Sequence, residues 1–277
     1  PNRMPNVLKP KDKVFQISCV LAKQGSDNFD NYLLTLGEPD PDIVGDCEIW
    51  QYKTEADLLD GFAEFIIEKN PQLIIGYNIL GFDIPYMIDR ADSESCLCSE
   101  FRKFGCRIGI HAENKTIKWS SSAYGTQEFQ FLDAEGRLFV DLLPLIKRDY
   151  KFDNYKLKTV SEFFLGETKD PLNAKGIFKC YRIGMQKVNG EFTKKAQRAM
   201  GIVGKYCVQD SALVLKLFDT IQTWVGLCEM AKTCNVPIFY LYTQGQQIKV
   251  FSQVYKHCMY NNFVVEKDGY EGVSINR

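Results

Sequence analysis

The chain has 277 residues, 45% hydrophobic and 13% aromatic, which is enough apolar content for a full core in one large domain or two small ones. Its 34 basic and 35 acidic side chains nearly cancel, so any attraction to a polyanion must come from local charge. No apolar run approaches the roughly 20 residues that cross a bilayer, the proline-bearing start lacks the apolar centre of a signal peptide, and cysteines scattered through apolar stretches, such as Cys19 and Cys207, suit free thiols better than a disulfide framework; the expectation is a soluble, intracellular protein with no membrane partner.

Val14 to Leu21 and Tyr32 to Leu36 read as two strands separated by the turn-rich Gly25-Ser-Asp-Asn28, a hairpin, and Glu48 to Tyr52 adds a third strand. Thr54 with Asp57 has the spacing of a capping box, and Leu58, Leu59, Phe62, Phe65 and Ile66 recur at helical spacing until Pro71. Leu73 to Tyr77 reads as a central, buried strand, followed by a short helix with Pro85 in its first turn, where a missing amide costs little. Residues 104 to 140 predict an antiparallel β insertion built from Arg107 to His111, Thr116 to Ser120, Glu128 to Leu132 and Leu138 to Val140, with a turn at Asp133-Ala-Glu-Gly136. A helix is expected over Thr159 to Leu165, helical turns and mobile loops over Lys169 to Ala199, and a long helix over Gly204 to Trp224. From Cys228 a second helical pattern leads to Tyr242-Thr-Gln-Gly and a further helix to about Asn261.

Two segments carry the chemistry. Asn78-Ile-Leu-Gly-Phe82-Asp83 follows an apolar strand, the place where open α/β sheets form ligand crevices. Tyr206 and Asp210, four apart on a helix, share one face and can address the same water. Attack on a phosphodiester by two divalent cations needs carboxylates that converge from distant parts of a chain, and Asp83 and Asp210 fit that need. The plain alternative for Asp83 is a helix cap; Asp141, after Leu138-Phe-Val, could also approach the site but is read as a structural cap. Lys147-Arg-Asp-Tyr-Lys151-Phe-Asp-Asn-Tyr-Lys156-Leu-Lys158 interleaves bases with aromatics, as at single-strand binding grooves; its alternative is solvated surface. Cys96, Cys98, Cys106 and His111 offer zinc-type ligands at a spacing that differs from the usual paired-cysteine knuckles.

Asn-x-x-x-Phe-Asp followed by Tyr-x-x-x-Asp resembles the second and third exonuclease motifs of family B DNA polymerases. Val14-Phe-Gln-Ile-Ser18, Asp141 to Tyr150, Tyr155 to Val160 and Gly245-Gln-Gln-Ile-Lys249 are similar to family segments in the same order, so the likeness covers nearly the whole chain. The wording of 201 to 218 is most similar to polymerases of large cytoplasmic DNA viruses and their eukaryotic replicative relatives. The resemblance implies an α/β fold, a ribonuclease H-like mixed β-sheet with flanking helices and a β-hairpin insertion. It divides the chain into a 3′-5′ exonuclease domain over 1–240 and a linker with the start of the palm over 241–277. It implies Asp83 and Asp210 as metal ligands for two Mg2+ or Mn2+ ions, Tyr206 as the residue orienting water, and Asn78 and Phe82 as holding a frayed single-stranded 3′ end. Lys151, Lys156 and Lys205 are added as DNA contacts on their charge. The implied partners are DNA as primer-template, the remaining polymerase domains and a processivity factor, with the host cytoplasm as location if viral and the nucleus if eukaryotic.

Three departures stand out. The family's first motif, Asp-x-Glu, belongs shortly before Val14, and residues 1–13 contain none, so the expectation is a piece of a longer polymerase whose isolated form is inactive. Gln244 stands where an arginine commonly precedes the glycine, and Val273 breaks the similarity of Tyr270-Glu-Gly272 to a downstream Tyr-x-Gly-Gly element. The competing expectation is a catalytically incompetent single-stranded DNA-binding or structural module on the same fold.

Overall fold

The structure, a computed structural model, describes residues 5–26, 28–93, 96, 98–106, 109–121, 125–167 and 172–265. It divides into two compact units, Pro1–Thr223 and Trp224–Arg277.

In the first unit, β1 (Gln16–Ala22) and β2 (Phe29–Leu36) form the expected antiparallel hairpin, with Cys19 opposite Tyr32. A one-turn α1 (Pro41–Val44) leads to β3 (Glu48–Tyr52), which pairs in parallel with β2. The capping box then starts α2 (Glu55–Lys69): Thr54 Oγ1 accepts from the Asp57 N–H, and the Asp57 carboxylate accepts from the Thr54 N–H. Leu58, Leu59, Phe62, Phe65 and Ile66 are all buried, as are Leu33, Leu34 and Leu36 of β2, so the helical and strand periodicities meet in one core.

Next come β4 (Leu73–Gly76), a single π-turn over Ile79–Asp83 and α3 (Ile84–Ala91), with Pro85 in its first turn. The Arg90 guanidinium on α3 is fully buried and is paired with Glu55 at the start of α2. Arg90 also donates to the Val7 carbonyl at 2.6 Å, Glu55 accepts from the Val14 N–H at 2.7 Å, and the Tyr86 hydroxyl donates to the Asp12 carbonyl at 2.6 Å. One buried charge pair thus ties the segment ahead of β1 to both helices, and its polar atoms are satisfied, as burial demands.

A short 3₁₀ turn (Phe101–Lys103) precedes the hairpin of β5 (Glu113–Ser121) and β6 (Gly125–Asp133). The insertion is smaller than the sequence predicts. Residues 109–111 form no strand, Arg107 lies outside the described residues, and β7 (Leu138–Asp141) leaves the hairpin to pair in parallel with β4, Ile75 opposite Val140. β7 is apolar on both faces, with Phe139 and Val140 buried, which suits a parallel partner better than a solvent-facing hairpin. β4 itself is half-buried, where a buried central strand was expected, and among the described residues β7 is its one partner.

Helices α4 (Leu142–Asp149), α5 (Leu157–Leu165) and α6 (Ala174–Gly184) follow, then a two-residue hairpin of β8 (Lys187–Val188) and β9 (Glu191–Phe192), and then α7 (Lys194–Thr220). Within Lys169 to Ala199, the described part is thus mostly regular structure, and the long helix begins ten residues before Gly204. Thr193 caps it, its hydroxyl accepting from the Ala196 N–H at 3.1 Å; Lys194 and Lys195, read as loop, lie on its exposed face, and Ala196 and Ala199 are buried. Its C-terminus falls at Thr220, because Gln222 is left-handed, and α8 (Thr223–Cys234) starts there, five residues before Cys228. α7 packs against β1, β2 and β4 and so covers strands of both sheets.

The second unit holds most of α8, then α9 (Tyr240–Thr243) and α10 (Gln247–Tyr260). Ser252 Oγ donates to the Asn235 carbonyl at 2.8 Å and Lys256 Nζ to Asn235 Oδ1 at 3.0 Å, fixing one face of α10 on the end of α8. Tyr270, Gly272 and Val273 lie outside the described residues. No helix is long and apolar enough to cross a membrane among the described residues.

Candidate functional site

The segment carrying Asp83 is held by a buried carboxylate on the neighbouring strand. Asp141, at the end of β7 and 1% exposed, accepts from the N–H of Asn78 at 2.7 Å, of Leu80 at 3.0 Å and of Leu143 at 3.0 Å. It caps α4 and, across the sheet, clamps the loop that follows β4. Burial raises its pKa, while those N–H bonds pull the other way. Asn78 takes the left-handed conformation, φ 64°, open to asparagine at modest cost. A Cβ at Gly81 would sit 2.6 Å from Asn78 Oδ1, so the glycine lets the asparagine side chain fold over the turn.

This clamp leaves Asp83 at the junction of the π-turn and α3. It stands at the N-cap position, yet its backbone is helical and its side chain makes no capping bond, so the cap reading fails here while it holds for Asp141. Asp83 is solvent-exposed on one side and surrounded by protein on the other. That crowding, reinforced by the nearby Asp141 charge, raises its pKa to about 7, a penalty that water at the open side partly screens. Phe82 is also exposed and stacks on Tyr86, ring centroids 5.9 Å apart, which presents its other face outward.

Tyr206 and Asp210 are both half-buried on α7, one turn apart. The adjacent stripe of that helix, Cys207 and Ser211, faces β1: Ser18 Oγ lies 2.8 Å from the Cys207 carbonyl and 2.6 Å from Ser211 Oγ. Gly204 makes the approach possible, since a Cβ there would fall 2.5 Å from Leu33 Cδ2. Burial raises the Cys207 thiol pKa, and the charges of both Asp210 and Asp83 push it further up. No spacing in the sequence pairs Ser18 with Ser211, so this registration of α7 on β1 was not readable beforehand.

The other expected contacts are more dispersed. Lys151 and Lys156 are exposed in the loop between α4 and α5, and Lys205 is exposed on α7. The loop reaches the motif through Tyr77, the residue before Asn78, whose hydroxyl donates to the Tyr155 carbonyl at 2.7 Å. Five rings absent from the sequence reading as a group, Tyr150, Phe152, Tyr155, Phe163 and Phe164, pack together there, with Lys147 Nζ 5.8 Å over the Tyr155 ring. The helical pair Phe163-Phe164 beside Phe152 was the available signal. Cys96 and Cys98 lie with their sulfurs 3.4 Å apart. Among the described residues no three His, Cys, Asp or Glu side chains gather to hold a metal ion. Asp83 and Asp210 carry hard oxygen donors of the kind magnesium and manganese take.

A mixed α/β unit with one acidic side chain on a strand-end turn and another on a long helix that packs against β4 is the class of protein on view. Residues 1–160 match the family described as DNA polymerase family B, exonuclease domain, and the chain belongs to that family. It is 51% identical over 269 residues to a DNA polymerase of Invertebrate iridescent virus 3, covering 96% of this chain and 23% of the relative. It is 38% identical over 245 residues to the DNA polymerase of Red sea bream iridovirus, covering 88% and 23%. With the DNA polymerase delta catalytic subunit of Candida albicans it shares 35% over 272 residues, covering 95% and 25%. The chain thus spans about a quarter of the length of these relatives. Tyr206 and Asp210 lie beyond the family match and within the span shared with relatives at 96% coverage.

Proposed function

We propose that this chain is the 3′-5′ proofreading exonuclease region of a DNA-directed DNA polymerase, removing mispaired 3′ terminal nucleotides from DNA. The observation that supports the reading is the match of residues 1–160 to the exonuclease domain of family B DNA polymerases, with Asp83 exposed on the strand-end turn inside that match and free of any capping bond. Both carboxylates would hold divalent magnesium or manganese, and such ions activate water and stabilise the leaving oxygen in phosphodiester hydrolysis. Tyr206, on the same helical face as Asp210, orients the attacking water. Asn78 and the outward face of Phe82 hold the frayed 3′ end, and Lys151, Lys156 and Lys205 add phosphate contacts.

The fold reading is ribonuclease H-like. Among the described residues β1 and β4 each have one strand partner, and α7 packs on both, so both have a side where a further strand of a mixed sheet could pair. A strand bearing the family's Asp-x-Glu would both fill that place and supply two further carboxylates. On this reading 1–240 is the exonuclease domain and 241–277 the linker into the palm, and the partners are primer-template DNA, the other polymerase domains and a processivity factor. Cellular location follows the relatives' sources, host cytoplasm for a viral enzyme and nucleus for a eukaryotic one.

The test is digestion of a labelled single-stranded oligonucleotide by the full-length protein, beside primer extension. Asp83→Ala and Asp210→Ala should each lower digestion by more than the roughly 10- to 100-fold that outer partners of a metal usually cost, with extension kept. Undiminished digestion by either variant would sink the assignment. On this reading residues 1–277 alone are inactive. Magnesium-dependent digestion by that piece, abolished by Asp83→Ala, would overturn this point.

A further inference from the structure

We infer that Tyr150, Phe152 and Phe163, with Lys147, Lys151 and Lys156 around them, form a stacking platform that takes single-stranded DNA after it leaves the Asp83 cleft; this rests on the exonuclease reading above. Phe163 is 68% exposed and Tyr150 37% exposed. Isolated exposed rings are ordinary on a protein surface, whereas these belong to one cluster. Phe163 and Phe152 are T-shaped at 5.2 Å, Phe163 and Phe164 at 4.9 Å, and Tyr150 and Phe164 at 4.9 Å. Rings held by such neighbours keep a fixed orientation, and the exposed surface of Phe163 and Tyr150 is open to a base at little ordering cost.

The charge around the cluster favours a polyanion. Residues 147–158 carry five basic and two acidic side chains, on a chain whose overall charge is close to zero. Lys151, Lys156 and Lys158 are exposed and form no ion pair among the described residues. Their ammonium groups are therefore available to phosphates without first breaking a salt bridge. The position is right as well. The Tyr77–Tyr155 hydrogen bond places the inner end of the cluster one residue from Asn78, so a strand with its 3′ end at Phe82 and Asp83 meets the platform next. Rings interleaved with lysines are what sequence-tolerant single-strand binding needs, because every base offers a π face.

Digestion by the full-length protein, compared between a thymidine trinucleotide and a thymidine dodecamer, tests this. The trinucleotide reports on the cleft, and only the dodecamer is long enough to reach the platform. For Phe163→Ala the ratio of kcat/KM on the dodecamer to that on the trinucleotide should fall about tenfold, within the span expected for loss of one stacked base. Phe163→Leu, which keeps apolar bulk and loses the flat ring, should fall alike, and Phe163→Trp should hold the ratio. A ratio unchanged in Phe163→Ala, or restored by leucine, would overturn the platform while leaving the cleft intact. Loss of Asp83-dependent digestion of both substrates would instead locate the failure in the exonuclease reading.

Discussion

The two segments that carry the candidate acidic residues are built in opposite ways. Asp210 and Tyr206 sit in the middle of a 27-residue helix, where a spacing of four residues alone sets them on one face. Asp83 sits on a π-turn whose conformation depends on a left-handed Asn78, a glycine at 81 and three N–H groups received or shared by Asp141 from the next strand. Helical placement is local and cheap to specify. Placement on the turn is a tertiary achievement, and π-turns are often found at functional sites for that reason.

The sharpest way to break this contrast is at Asp141. Asp141→Ala leaves buried N–H groups without their acceptor, at about 1 to 3 kcal/mol each, so a loss on the order of 3 kcal/mol or more is expected. The turn and digestion by the full-length protein should go with it. Asp210→Ala, on a regular helix, should change stability by less than about 1 kcal/mol while abolishing digestion. Urea midpoints measured on both variants check this, and equal losses would mean that the turn is no more dependent on its support than the helix.

A milder probe is Gly81→Ala. The new Cβ displaces the Asn78 side chain, which is free to move at its end, so about 1 kcal/mol of stability is expected to go, together with a rise in KM for single-stranded substrate larger than any fall in kcat. An unchanged KM would remove Asn78 from the substrate contacts.

Asp83→Asn tests the electrostatics of the turn. The native carboxyl titrates near 7 and the unfolded one near 3.8, so between these values the native state binds more protons and stability falls as pH rises. The penalty is complete above pH 7 and absent below 3.8. Asp83→Asn should therefore be more stable than the wild type by about 1 kcal/mol above pH 7, water at the open side having screened the rest, with the gap closing towards pH 4. Thermal melts across that range would show it, and a gap independent of pH would mean that crowding does not act on the charge.

The smallest effect is expected for Tyr206→Phe, which removes one hydroxyl and leaves both carboxylates. Digestion should fall partly and the melting temperature should hardly move. A rate as low as that of Asp210→Ala would give the tyrosine a role beyond orienting water.

The sequence by itself determined the elements whose signals are local: the capping box at Thr54 and Asp57, the β1–β2 hairpin, the strand Glu48–Tyr52, and the Tyr206/Asp210 face. It also held the family likeness, because the motifs are short and ordered along the chain. The partner of β7 was beyond it, since Leu138-Phe-Val-Asp can continue a hairpin or join a parallel sheet, and only the burial of both its faces against β4 and the helices selects the second. The start of α7 at Lys194 was beyond it as well, because a Lys- and Gly-rich stretch becomes helix there only through the Thr193 cap and packing on the first unit's core. Most of all, tertiary structure decided how the two aspartates are held. The cap at Asp141 was legible from its place after Leu138-Phe-Val, but its reach across the sheet to the N–H groups of Asn78 and Leu80 was not, because no local spacing links residues 63 and 61 positions apart; Asp83 makes no capping bond and stays exposed.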